Sequence, residues 1–288
     1  MTADMLAEIA EANRPEQFTI MDTATGLLSA SPAVSHLMVR GSFADGTSDR
    51  LSDIDLVVGV REPDYPDFTA SQDALIRAAF CQMLPGWLDT IVPPFGGAGW
   101  VHLIQHQGTL YQLDLYVAPS GRIHEIQART RGRIIYTTPQ AGEPDASDAE
   151  RAESFARSML DAQPTAASLI TELLVLAHMI HKRLARGQRF MAYKEAYQFT
   201  DAARGLARTG LAPRTEYLRW YHLEETLGET PLGKECLALL RELTDLPAVP
   251  DGTTLPRMLD IVLRLAALAG PDALTELQPG IDACLSLI

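Results

Sequence analysis

The spacing of apolar residues changes near residue 145, and this change constrains the fold more than any other feature of the sequence. Before it, short apolar runs alternate with turn-forming residues, a pattern typical of a domain that mixes strands and helices. After it, leucine and isoleucine recur at helical spacing. A stretch rich in Pro, Gly and acidic residues, 139–149, separates the two patterns. The sequence therefore predicts an α+β protein with two domains, 1–145 and 146–288, of which the second is an all-α helical bundle.

The first half predicts a mixed sheet flanked by helices, with two of its strands joined in a hairpin around Gly108. The predicted strands cover residues 36–39, 54–58, 100–107, 109–117 and 133–138, and the predicted helices cover residues 5–10, 15–28 and 71–84. In the second half, predicted helices cover residues 169–184, 190–207, 215–227, 233–243, 255–269 and 271–287.

The charge of the chain is concentrated in its first half. Residues 1–150 hold nine arginines and no lysine against twenty acidic residues, whereas the remainder is close to neutral. Because a nucleic-acid backbone is bound by basic stripes, we expect no nucleic-acid partner. The acidic half suits a cationic small molecule or a divalent metal ion instead.

Cysteine usage and hydropathy point to the cytoplasm. Cys81, Cys236 and Cys284 are far apart and form no CxxC pair, so neither a disulfide framework nor a cysteine-rich zinc site is indicated. The amino-terminal segment is acidic rather than basic and then apolar, and the most apolar stretch, 261–269, is too short to span a bilayer. We therefore expect no membrane anchor. The oligomeric state is left open.

Three aspartates carry most of the functional information. Asp53 and Asp55 lie two positions apart on a predicted strand, so their side chains point to the same face, and Asp114 lies in a later apolar strand. Like charges at this spacing repel, and a hard divalent ion such as Mg²⁺ is the natural partner. A solvated strand face is the simpler alternative. Upstream, Gly41 and Ser42 end a strand, where backbone and hydroxyl groups can approach a phosphate.

Gly41-Ser42, Ser52-Asp53-Ile54-Asp55 and Asp114 together resemble the signature of the DNA polymerase β-like nucleotidyltransferase superfamily, over about residues 36–117. The two-domain organisation is similar to the aminoglycoside adenylyltransferase branch. In the second half, Arg186-Gly187-Gln188, Ala192 and Lys194 resemble a stretch of the helical domain of several members. Two positions depart from the family pattern: Phe43 replaces an Arg, and Gln188 replaces an acid.

The resemblance implies transfer of a nucleoside monophosphate, AMP from ATP or the equivalent from another nucleoside triphosphate, to a hydroxyl group of a small acceptor. It implies two Mg²⁺ ions held by Asp53, Asp55 and Asp114, which are also the expected catalytic residues, with Asp114 a candidate to accept the proton of the acceptor. The residues expected to bind the nucleotide are Gly41, Ser42, Ser52 and Lys194.

The acceptor and the reaction leave alternatives open. Trp220 and Tyr221, one helical turn from Glu224 and Glu225, could form an aromatic and acidic wall for a cationic acceptor such as an aminoglycoside, or simply one face of a bundle helix. Modification of a lincosamide-type molecule or of a protein is an alternative activity. A nucleotide-binding regulator without turnover is an alternative of a different class. The paired histidines, His102 with His106 and His178 with His181, are expected to be structural or surface residues rather than metal ligands.

Overall fold

The structure, a computed structural model, describes residues 15–91, 95–138 and 145–288. The chain divides into two compact units. The first comprises residues up to Gln82 together with Leu88–Ala162, and the second comprises Met83–Trp87 and Gln163–Ile288. The first unit combines a sheet with helices and the second is helical, so the predicted α+β fold class is confirmed. The helix predicted over residues 5–10 lies outside the described residues.

The elements of the first unit follow the predicted alternation of strands and helices. Its strands are β1 (Val34–Val39), β2 (Ile54–Val60), β3 (Cys81–Gln82), β4 (Trp87–Leu88, at the boundary of the units), β5 (Ala98–His106), β6 (Thr109–Pro119) and β7 (Arg133–Thr137). Its helices are α1 (Glu16–Ser29), α2 (Gly41–Asp45), α3 (Tyr65–Ala79), α4 (Ile123–Thr130) and α5 (Ala146–Leu160). The helix predicted over 71–84 is thus shifted, because Phe80 is already extended and leads into β3.

Six strands follow the order β3-β5-β6-β2-β1-β7 across the sheet. At its centre β2 and β6 run parallel, while the other neighbouring strands pair antiparallel. The predicted hairpin between β5 and β6 is confirmed. Its turn places Gln107 and Gly108 at φ values of 50° and 76°, which two-residue hairpin turns of this kind require.

Both faces of the sheet are covered, and each face carries its own apolar cluster. Leu56 and Leu115 belong to the larger cluster on one face. Val57 and Tyr116 belong to the cluster on the other. Because side chains alternate along a strand, Asp55 falls on the same face as Val57, and Asp114 on the same face as Tyr116. The two carboxylates therefore share one face of the sheet with the smaller cluster.

The boundary between the units lies later than the one predicted. The sequence analysis divided the chain after residue 145, but α5 belongs to the first unit. The reason is burial: Ala152 and Ala156 of α5 pack into the larger apolar cluster of the sheet. The acidic, Pro- and Gly-rich composition coincides with the start of α5 rather than with the end of the first unit, because that helix packs against the core of the first unit.

The second unit consists of helices packed through the apolar stripes that the sequence predicts. They are α6 (Ala166–Ala185), α7 (Arg189–Leu211), α8 (Leu223–Leu227), α9 (Pro231–Thr244), α10 (Thr254–Ala269) and α11 (Pro271–Leu285). None of the helices in the described ranges combines the length and apolar character that crossing a bilayer requires.

The helix predicted over 215–227 is wrong. A 3₁₀ segment covers Pro213–Leu218, α8 covers five residues, and between them Arg219 and His222 have positive φ values of 51° and 53°. The buried Arg208 guanidinium accounts for this shape, because it binds main-chain carbonyl groups of the segment that a helix would use for its own hydrogen bonds.

Candidate active site

Asp55 and Asp114 lie side by side in the centre of the sheet. In the parallel pair β2–β6 the register places Asp55 opposite Asp114, between the pairs Ile54–Leu113 and Leu56–Leu115. The Asp55 side chain is only 21% exposed. The sequence analysis placed both aspartates on strands, and the register brings them together across 59 residues of chain.

The two carboxyl groups disfavour each other's ionisation. Burial, and after it the charge of the neighbouring Asp55, raise the pKa of Asp114 to about 8. Burial also raises the pKa of Asp55, an effect that the Arg40 guanidinium opposes. Such a pair retains a proton near neutral pH unless a cation balances it. The pair is therefore suited both to accepting a proton and to attracting a positive charge.

Arg40 supplies one such charge, and the sequence analysis missed it. Its Nε lies 3.3 Å from Asp55 Oδ1, and its guanidinium lies 5.9 Å from the centre of the Tyr116 ring. Arg40 follows β1 by one residue and shares the parity of Met38, so it points to the same face as the carboxylates. The signal in the sequence was a single basic residue directly before Gly41, at the end of an apolar strand.

Gly41 is pressed against Asp55. Its φ is +64°, a value that side chains rarely adopt, and a Cβ at this position would collide with Asp55 Oδ2 and come within 3.2 Å of its Cγ. Only glycine lets the chain turn at this point without displacing the carboxylate. The structure thus brings Gly41 and Asp55 together, as predicted for neighbours in one site. The role predicted for Gly41 toward a phosphate stays a prediction.

Ser42 lies next to this contact, in the short helix α2. Its carbonyl accepts hydrogen bonds from the Gly46 and Thr47 amides, the latter at 2.9 Å, and its side chain is half-buried. Ser52 lies at the other end of the connection to β2. Its hydroxyl accepts from the Asp49 amide at 2.9 Å and donates to Asp49 Oδ1 at 3.1 Å, which closes the loop before β2.

Two further residues of this face were not predicted. Gln112 Nε2 donates to Asp114 Oδ1 at 2.8 Å and so fixes one oxygen of that carboxylate. The charge of Asp89 adds to the repulsion that raises the pKa of Asp114. Gln112 precedes Asp114 by two positions, so strand parity could have identified it. Asp89 lies in a loop far along the chain, where neither spacing nor parity gives a signal.

The donor set suits a divalent ion only in part. Asp53 directly precedes β2 and shares the parity of Asp55. Among the described residues, however, no group of three or more His, Cys, Asp or Glu side chains is placed to hold a metal ion. The predicted set of Asp53, Asp55 and Asp114 is therefore not gathered as a protein cage. Mg²⁺ does not need one, since it is usually held by one or two carboxylates and completed by water and substrate phosphates.

The residues singled out in the second half lie in the second unit. Lys194 is exposed on α7. Gln188 precedes α7 and accepts a hydrogen bond from Arg183 at 3.3 Å. The predicted wall of Trp220 and Tyr221 with Glu224 and Glu225 does not lie on one helix, because the chain breaks at His222.

Comparison with known proteins gives only a distant structural likeness. Among solved structures, the chain is similar to the crystal structure of a nucleotidyltransferase-like protein from Exiguobacterium sibiricum 255-15. The two chains are 14% identical over 88% of this chain and 77% of the other, with a TM-score of 0.24. Neither a protein-family model nor a curated protein gives a significant match to the sequence. A likeness at this level carries no argument about fold or activity, so any assignment of chemistry rests on the site itself.

Proposed function

We propose that this chain is a metal-dependent nucleotidyltransferase that moves a nucleoside monophosphate, AMP from ATP, onto a hydroxyl group of a small cationic acceptor. The observation that carries the proposal is the in-register pair of Asp55 and Asp114, with Gly41 packed against the first of them. Two buried, mutually repelling carboxylates at the centre of a sheet weaken the fold. Residues of this kind are typical of a site that binds cations and moves protons.

In the proposed reaction Asp114 accepts the proton of the acceptor hydroxyl. As the acceptor oxygen forms its bond to the α-phosphorus, its proton passes to the Asp114 carboxylate. The bond from the α-phosphorus to the oxygen that bridges to the β-phosphorus breaks, and pyrophosphate leaves. A carboxylate in contact with the acceptor hydroxyl can serve as the general base for this transfer. Gln112 keeps the Asp114 carboxylate oriented, and Arg40 favours the ionised form of Asp55.

Divalent ions, when bound, would neutralise the developing charge on the phosphates and steady the attacking and leaving oxygens. Asp55 and Asp114 are the residues that would hold such ions, and Asp53 joins them by the family resemblance. The amide and hydroxyl groups of Gly41 and Ser42 would receive phosphate oxygens, with Ser52 supporting their loop. Lys194, on the second unit, is proposed to bind a phosphate by the family resemblance alone.

The acidic character of the first half supports a cationic acceptor, because the remaining negative field would attract one. An aminoglycoside-like molecule is the acceptor we propose first, ahead of a lincosamide-type molecule or a protein. Glu224 pairs with Arg241 at 2.9 Å, so its charge is already balanced. The proposal of a cationic acceptor therefore does not rest on Glu224.

The test uses the purified full chain with Mg²⁺, each nucleoside triphosphate in turn and a panel of hydroxylated cations, with pyrophosphate release as the readout. Asp55→Asn and Asp114→Asn should each lower the rate at least about 100-fold, because each removes a ligand charge at constant volume. Asp45→Asn is the matched control, since Asp45 is an exposed acid at the end of α2. Wild-type turnover by either site variant under saturating Mg²⁺ would refute the assignment. Nucleotide binding without pyrophosphate release in the presence of any acceptor would favour a nucleotide-binding regulator instead.

A further inference from the structure

One face of α7 presents large aromatic side chains to solvent. Phe190 is 92% exposed, Tyr197 62% and Tyr193 49%. They recur at intervals of three and four residues, and Lys194 and Asp201 fall within the same stripe of the helix. We call these five residues the aromatic face. The opposite side of α7 is fully packed, and its buried residues are Ala192, Glu195, Ala196, Phe199, Ala202, Ala203, Leu206 and Ala207.

The aromatic face continues onto the segment after α7. Trp220 Nε1 donates to Asp201 Oδ1 at 2.6 Å, and the Arg204 guanidinium lies 5.8 Å from the centre of the Trp220 ring. Tyr217 and Tyr221 on either side of Trp220 are 80% and 77% exposed. Six of the exposed large hydrophobic side chains of the second unit are thus aromatic rings gathered on one helix and one adjoining segment.

Buried contacts fix the adjoining segment in place. Arg208 has no exposed surface, and its guanidinium donates to the carbonyl groups of Thr215, Arg219 and Tyr221. The positive φ values of Arg219 and His222 cost conformational energy that the bonds of Arg208 offset. The bonds of Arg208 account for the shape of the segment, and they hold its exposed aromatic rings in place. The arrangement is a preorganised surface.

The charges on this surface exclude one class of ligand. Lys194 and Arg189 are exposed, and within the described residues the Lys194 ammonium has no carboxylate partner. Asp201 shares Arg204 with Glu216, each pair at 3.1 Å, and Arg219 of the adjoining segment is a further exposed cation. An acidic chain thus carries a locally basic surface here, which repels a cationic ligand and attracts a phosphate.

We propose that the aromatic face binds a mononucleotide, with its base stacked on Tyr193 and Tyr197 and a phosphate on Lys194. Flat rings beside a cation are the combination that recognises a base and its phosphate, and stacking tolerates any base because each has a π-face. This inference rests on the proposed function only in its choice of a free nucleoside triphosphate as the ligand.

Calorimetric titration of the full chain with Mg²⁺–ATP and with Mg²⁺–tripolyphosphate distinguishes the contribution of base stacking to affinity from that of phosphate binding. Tyr197→Ala should weaken ATP binding by roughly 5- to 150-fold, the range spanned by one base–aromatic stack, and leave tripolyphosphate binding unchanged. Lys194→Gln should weaken both ligands. Tyr197→Phe keeps the ring and should bind as wild type does. Leu232→Ala, which removes a 39% exposed leucine from α9, is the control and should change neither affinity.

The outcomes separate this inference from the proposed function. ATP affinity that is unchanged in Tyr197→Ala overturns the aromatic face and leaves nucleotidyl transfer standing. If Tyr197→Ala loses ATP affinity and the wild-type chain releases no pyrophosphate with any acceptor, the aromatic face is supported and the transferase activity is refuted. Failure of the wild-type chain to bind ATP overturns both. Tighter binding of a single-stranded oligonucleotide than of ATP overturns the choice of a free nucleotide.

Discussion

At the residue scale, two buried carboxylates and one guanidinium determine the character of the candidate site. Asp55 and Asp114 repel each other, and Arg40 relieves only the first of them by direct contact. A carboxylate held close to a backbone turn cannot move away from this repulsion. Gly41 provides that turn, and it leaves room for Asp55 Oδ2 only because it has no side chain. The position of the carboxylate thus depends on one missing methyl group.

A matched pair of glycine substitutions tests this dependence. Gly41 and Gly46 both have left-handed φ values, +64° and +72°, but a Cβ at Gly46 meets nothing within 4 Å. Alanine at either position should cost about 1 kcal/mol or more in the free energy of unfolding, measured in urea. Only Gly41→Ala should also displace Asp55 and reduce pyrophosphate release at least tenfold beyond any loss in Gly46→Ala. Equal activity of the two variants would show that the contact does not matter.

Strand parity predicted part of this site and could not predict the rest. It gives the face on which Asp55 and Asp114 each lie relative to their own strand neighbours. It does not say that β2 and β6 are adjacent, because that pairing depends on where the chain between them packs. Arg40 was missed for a related reason. A basic residue after a strand is usually solvated, and only the folded sheet shows that it turns toward Asp55.

At the scale of elements, the segment after α7 shows a buried side chain overriding local preference. Residues 215–227 have the composition of a helix, yet the chain forms a 3₁₀ turn and a five-residue helix. Arg208 decides the outcome, since satisfying its buried charge requires carbonyl groups that a helix would keep for itself. Periodicity predicted α6, α9, α10 and α11 because their buried stripes are apolar. It fails where one polar side chain organises the backbone.

Substitution of Arg208 measures how much this segment depends on it. Arg208→Lys keeps the charge but loses the planar fork that reaches several carbonyl groups at once, so we expect a loss of about 2–4 kcal/mol in the free energy of unfolding. Limited proteolysis should then cut within residues 213–222. Arg214→Lys, at an exposed position of the same segment, is the control. Wild-type stability and resistance to protease in Arg208→Lys would assign the shape of the segment to another cause.

At the scale of the whole molecule, the sequence predicted two domains and misplaced their boundary. The change from alternating to helical spacing is real, but it coincides with the start of α5 rather than with the division of the cores. Ala152 and Ala156 are small residues of moderate hydropathy and give no sequence signal of the core they join. What a helix packs against is decided by the surface available after folding, which composition does not encode.

Each unit also contains a buried histidine whose pKa lies far below its usual range, His102 in the first and His178 in the second. His102 of β5 is fully buried, and its Nε2 lies 3.0 Å from Gln72 Oε1. His178 of α6 is 5% exposed, and neither ring nitrogen has a hydrogen-bond partner among the described residues. Burial lowers the pKa of each to about 4. Both units therefore contain a group that the folded chain protonates less readily than the unfolded chain does.

Acid should destabilise both units through these histidines. Between pH 6.5 and about 4 the unfolded chain binds a proton at each position and the folded chain does not, so stability falls as the pH falls. From pH 7 to pH 5 each histidine should lower the free energy of unfolding by about 2 kcal/mol. The raised pKa values of Asp55 and Asp114 act in the opposite direction, since those groups hold protons more tightly in the folded chain. The comparison must therefore be made between variants at the same two pH values.

His178→Leu and His102→Gln should each reduce the loss of stability between pH 7 and pH 5 by about 2 kcal/mol, measured by urea unfolding. His178→Leu should in addition stabilise the chain at pH 7, because it replaces an imidazole without partners by an apolar side chain of similar size. His222→Gln, at a side chain that is 69% exposed, should leave the pH dependence unchanged. If both buried-histidine variants lose stability with acid as steeply as the wild-type chain does, protonation of other groups drives the transition.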